Sequence, residues 1–124
     1  MKTPNITAAE WEIMKLMWQK APQTSAEVVQ ALSKTTDWSP KTIRTLVKRL
    51  VVKGALKFEQ IGRVYSYSPT VEEKDCAVAE AQSFLKRIYG GAFEPMLANF
   101  LDAQVLSDEE IEKLKQIIEE QGKR

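Results

Sequence analysis

Histidine is missing from this chain of 124 residues, and cysteine occurs once, as Cys76. Without histidine the chain lacks the commonest general base and the commonest metal ligand. One cysteine can make no internal disulfide and no Cys/His zinc or redox cluster, and it suits a reducing cytoplasm. Cys76 reads most simply as a small residue on a helix, with thiol sensing as the lesser alternative. Apolar runs extend for only a few residues, too short to span a bilayer. The opening MKTPNITAAEWE holds acids and no apolar core, so no secretory leader is expected there. Glycine is scarce, and Gly90-Gly91 lacks the surroundings of a phosphate-cradling loop. Neither a cofactor nor a metal is expected, and the chain reads as something other than an enzyme.

What is present is unevenly spread. The length allows one domain or two small ones, and the apolar and charged fractions are those of an ordinary globular protein. A net charge of +1 conceals an asymmetry. Residues 1–70 carry 11 Lys and Arg against 5 Asp and Glu, whereas residues 71–124 carry 7 against 12. A basic first half fits a nucleic-acid module, joined to a part that must keep away from phosphate.

The stretch WSPKTIRTLVKRLVVKG, from Trp38 to Gly54, is the most informative. Ser39 can accept a hydrogen bond from an orphan amide, and Pro40 is tolerated at the first helical position, so a helix starts here. Trp38 and Ile43 have the spacing of a hydrophobic staple, and Gly54 supplies a left-handed stop. Ile43, Leu46, Val47 and Leu50 then form one buried stripe. Lys41, Thr45 and Lys48 project from the opposite face, flanked by Thr42, Arg44 and Arg49. No carboxylate occurs from Ser39 to Gly54. Cations for phosphates and hydroxyls for base edges are what a helix in a major groove needs. A solvated amphipathic helix is the alternative.

The flanking sequence supports a winged helix-turn-helix. Thr7 with Glu10, and Thr24 with Glu27, are capping boxes that open two earlier helices, and Ile6 with Trp11 staples the first of them. Ala55–Ser68 alternates and is rich in β-formers around Gly62, which predicts a hairpin, the wing, with Arg63 at its tip. That arginine meets DNA or is a solvated turn residue. Pro69 closes the hairpin, and Thr70 with Glu73 is expected to cap a fourth helix bearing Phe84, Leu85 and Ile88. A fifth carries Phe93, Met96, Leu97, Phe100 and Leu101. A sixth, capped by Ser107 with Glu110, carries Ile111, Leu114, Ile117 and Ile118. Three helices this short rarely bury enough core alone, so their apolar faces are expected to pair with a second copy of the chain, or else to pack on the first domain. The fold expected is mainly α with a small β-hairpin wing: a winged helix over 1–70 and a three-helix dimerisation domain over 71–124.

Four blocks carry a family likeness: AEWEIMKLMW at Ala9–Trp18, DWSPKTIRTLVKRLVVKG at Asp37–Gly54, FLKRIYGGAF at Phe84–Phe93 and LSDEEIEKL at Leu106–Leu114. With them the chain resembles the penicillinase repressor family, the BlaI/MecI type, over nearly its whole length. The resemblance implies a homodimer that binds a dyad operator in double-stranded DNA. Under the resemblance, the residues already read as the cap and basic face of the helix and the wing tip, Ser39, Lys41, Thr42, Arg44, Thr45, Lys48, Arg49 and Arg63, are those expected toward DNA. It also implies release when a membrane β-lactam sensor triggers cleavage at the bond matching Asn99–Phe100, although a core Phe beside a surface Asn is the plainer account of that pair. Relatives that regulate genes unrelated to β-lactams leave the target open, and a winged helix serving as a protein-interaction module remains the competing class.

Overall fold

The computed structural model describes residues 3–123. In order, the elements are α1 (Ala8–Gln19), β1 (Gln23–Thr24), α2 (Ser25–Leu32), α3 (Pro40–Val52), β2 (Leu56–Ile61), β3 (Val64–Pro69), α4 (Glu73–Tyr89), α5 (Phe93–Asp102) and α6 (Asp108–Gly122). Three of the helices open on capping boxes in which a hydroxyl and a glutamate each satisfy the other residue's backbone amide. The pairs are Thr7 with Glu10, Thr24 with Glu27, and Ser107 with Glu110. Ser39 caps α3 by accepting from the Thr42 amide at 3.1 Å. Gly54 then stops the helix at φ +85°, a conformation that a side chain would strain.

One expected cap does not form. Thr70 turns away from α4: its hydroxyl donates to the Gly54 carbonyl and its amide donates to the Ala55 carbonyl at 2.9 Å. The residue thus ties the end of the hairpin to the end of α3, and α4 begins at Glu73. Pro69 likewise lies within β3, as its last residue, opposite Leu56.

The chain divides after Glu80 into two compact units. In the first, α3 packs against α1, α2 and β2, and its stripe of Ile43, Leu46, Val47 and Leu50 is buried. Ile13, Met14 and Met17 from α1, with Val28 and Leu32 from α2, complete the centre of this core. Truncating a fully buried residue such as Leu50 to Ala removes about 2–5 kcal/mol. The strands form a sheet of order β1-β3-β2, antiparallel throughout. The two-residue β1 is an addition to the expected hairpin: Gln23 pairs with Tyr67 and Thr24 with Ser66, so the sheet is stitched to the start of α2. Cys76 is buried in this core, and burial, with the neighbouring Asp75 charge, raises its thiol pKa, which makes it a poor nucleophile. Trp18 Nε1 donates to the Val71 carbonyl at 3.0 Å. The core of the first unit therefore reaches past residue 70 into the first turns of α4.

The second unit has the opposite character. Neither α5 nor α6 contains a buried residue. Phe84, Ile88, Phe93, Phe100, Leu101 and Ile118 are exposed, and Leu85, Met96, Leu97, Ile111 and Leu114 are half-buried.

Candidate nucleic-acid interface

The face of α3 opposite its buried stripe is built by periodicity alone. Lys41, Thr42, Arg44, Thr45, Lys48 and Arg49 are all exposed, as is the capping Ser39. Ion pairs among the described residues join Lys15 to Glu12, Lys53 to Glu10 and Lys113 to Glu109. None of them involves Lys41, Arg44, Lys48, Arg49 or Arg63, so among the described residues these five cations have no acidic partner. The hydroxyls of the same face are less free than their positions suggest. The Ser39 and Thr42 hydroxyls lie 3.0 Å apart in one hydrogen bond, and Thr45 donates to the Lys41 carbonyl at 2.9 Å. Thr45 therefore offers a partner a methyl group and an acceptor oxygen. The methyl group suits a thymine methyl, and the oxygen an amino group on a base edge.

The wing supplies the second part. Its strands run in register from Leu56 opposite Pro69 to Ile61 opposite Val64, leaving Gly62 and Arg63 as a two-residue turn. Gly62 has φ +63° and Arg63 does not share a positive φ, the pattern of a type II′ hairpin turn. Gln60 Nε2 donates to the Gly62 carbonyl at 3.0 Å and steadies the tip. Arg63 is exposed at that tip, on the same compact unit as α3.

Two features of this region were not readable from spacing. The first anchors α3 from behind. Glu10, only 1% exposed, accepts at Oε1 from the Thr7 amide at 2.9 Å and from Lys53 Nζ, while Lys53 also donates to the Asn5 carbonyl at 2.9 Å. Lys53 is the C-cap of α3, so this pair links the start of α1 to the end of the basic helix. Burial opposes ionisation of Glu10, but hydrogen bonds from Lys53 and Thr7 outweigh it and hold the carboxyl below its ordinary range. Its second oxygen, Oε2, has no partner. The second feature is an aromatic stack on the wing. Phe58 and Tyr65 lie 5.1 Å apart and 16° from parallel, and they form a diagonal cross-strand pair, because Phe58 opposes Tyr67 and Tyr65 opposes Gln60.

Among the described residues no group of His, Cys, Asp and Glu is placed to hold a metal ion, and no helix is long and apolar enough to cross a membrane. The profile of the penicillinase repressor family matches residues 6–120. The chain belongs to that family. It is 46% identical over 123 residues to the penicillinase repressor of Bacillus licheniformis, across 99% of this chain and 96% of that one. It is 36% identical over 117 residues to the methicillin resistance regulatory protein MecI of Staphylococcus aureus, across 94% and 95% of the two chains. A solved structure of the Bacillus licheniformis BlaI monomer in complex with the blaP half-operator is 47% identical. It covers 60% of this chain and 90% of that chain, with a TM-score of 0.53. This penicillinase repressor family member thus carries its unpaired basic helix and cationic wing tip on a winged-helix fold, and its uncovered apolar helices on a separate unit.

Proposed function

We propose that the chain is a dimeric transcriptional repressor that occupies a dyad operator of β-lactam-resistance genes. The observation that carries this reading is the exposed face of α3, where Lys41, Arg44, Lys48 and Arg49 have no acidic partner among the described residues. In this reading Lys41 and Thr45 address base edges, while Arg44, Lys48, Arg49 and Arg63 hold phosphates, and Ser39 with Thr42 sets the entry of the helix. The BlaI half-operator complex supports it, since that protein is 47% identical over its matched part.

Dimerisation is assigned to the second unit. Phe84, Leu85, Ile88, Phe93, Met96, Leu97, Phe100, Leu101, Ile111, Leu114 and Ile118 cannot all be left to water, and a second copy is the partner that also doubles the DNA contacts. Induction is assigned to cleavage of Asn99–Phe100 by a protease under a membrane β-lactam sensor. The bond lies in α5, whose N-cap Ala92 makes no side-chain hydrogen bond and whose C-terminal turn leads into Gln104 at φ +57°. The C-terminal end is held by the Gln104 amide on the Leu101 carbonyl and the Val105 amide on the Phe100 carbonyl, so the uncapped N-terminal end is where the local opening that a protease needs costs least.

The test is binding of the full chain to a labelled duplex carrying two blaP half-operators in dyad, beside a scrambled duplex of equal length. Preference for the dyad by a factor of about a thousand or more is expected for specific recognition. Equal affinity for both duplexes would reduce the basic face to a general phosphate binder.

A further inference from the structure

The concave side of the wing is not explained by DNA contacts through α3 alone. Between the helix and the hairpin runs a cleft of about 450 Å³, within the range of small-molecule sites. Phe58, Tyr65 and Tyr67 form its aromatic wall, and Val51 and Val52 its aliphatic one. Arg44 and Lys48 stand on its helical side, and no carboxylate lines it. The apolar lining is open to water: Phe58 is 49% exposed, Tyr65 40% and Val52 81%. Exposed aromatic faces beside two unpaired cations complement a flat apolar body bearing one negative charge.

We infer that this cleft binds a small aromatic anion, an arene carboxylate in its simplest form, and that the bound anion competes with DNA. The arene lies against the Phe58–Tyr65 stack, and its carboxylate draws the Arg44 and Lys48 side chains that otherwise hold phosphate. Ligand binding stands on the cleft itself, whereas the competition rests on the proposed DNA-binding role of α3.

The two claims separate in one set of titrations. Calorimetry of the full chain with 2-naphthoate, without DNA, should give saturable binding of one molecule per chain. The neutral 2-naphthalenemethanol should bind about tenfold more weakly, because it lacks the charge-assisted hydrogen bonds. Tyr65→Ser should weaken 2-naphthoate about fivefold. Val52→Asp, at a surface position that folding tolerates, should abolish binding by placing a carboxylate in the cleft. No saturable binding, equal binding of the alcohol, or full binding by Val52→Asp overturns the site. With 2-naphthoate at ten times its own Kd, the apparent Kd for half-operator DNA should rise about tenfold. An unchanged Kd overturns the competition. Absence of DNA binding in the untreated protein overturns the reading of α3 instead, and leaves the calorimetric result standing.

Discussion

At the scale of single residues, the side chains proposed to touch DNA are distinct from those that hold them in place. Thr45, back-bonded to Lys41, retains a methyl group and an acceptor. Thr45→Ala is therefore expected to cost on the order of 1–3 kcal/mol on the operator and almost nothing on random DNA. Paired binding curves check this, and equal losses would remove Thr45 from the base-reading set. Glu10 and Lys53 act from behind the interface. Lys53→Met strands a buried carboxylate and should destabilise the fold by on the order of 2–3 kcal/mol, less than a fully enclosed pair because Lys53 keeps 30% exposure. The Glu10 carboxyl is depressed in the folded state, so the unfolded chain takes up its proton first as pH falls. Its stabilisation is complete above the ordinary carboxylate value of 4.5 and is lost as pH drops through the lower folded value. Thermal midpoints across acid pH should therefore fall more steeply for the native chain than for Glu10→Gln. Parallel curves would show that the pair contributes nothing to acid stability. Such pairs were not legible in the sequence. Glu10 was visible as a cap because Thr7 lies three positions away, but nothing local connects it to a lysine 43 positions on.

At the scale of elements, local signals served well and long-range ones did not. Three capping boxes, the Ser39-Pro40 start, the stripe of α3 and the glycine turn of the wing each depend on neighbours within about two helical turns, which is what a single sequence displays. The short β1 has no local signature because two residues carry no periodicity; only their pairing with β3 defines them. Thr70 departs from its local signal for the opposite reason. Its spacing to Glu73 fits a cap, but tertiary partners at Gly54 and Ala55 claim both its polar groups. In α5 the third helical position is Pro95, which has no amide to offer a capping side chain, and Ala92 offers no side-chain acceptor. Ala92→Asp should gain about 0.5–1 kcal/mol through the second amide and the helix dipole. Amide exchange around Asn99 and Phe100 should slow by about two- to fivefold, and cleavage with it. Unaltered exchange would mean that the N-terminal turn does not limit opening of that bond.

At the scale of the whole molecule, the first unit carries the basic face of α3 and the second carries helices with no buried apolar face, and the proposed repressor needs both. A chain ending at Asn99 loses Phe100, Leu101 and all of α6. It should bind a single half-site about as well as the full chain but the dyad far more weakly, since the second half-site is no longer presented at high effective concentration. Undiminished dyad affinity would exclude cleavage at this bond as the switch. Phe100→Asp should act in the same direction by placing a carboxylate in the proposed apolar contact, and sedimentation should find it monomeric where the native chain is expected to be a dimer. The most direct measurement is the salt dependence of binding by the full chain to the dyad and to one half-operator. Each neutralised phosphate contributes a slope of about −0.9 to the plot of log K against log salt concentration. Two linked copies of α3 and the wing should make the dyad slope about twice the half-site slope. Equal slopes, or slopes near zero, would contradict a dimer that grips DNA through these cations.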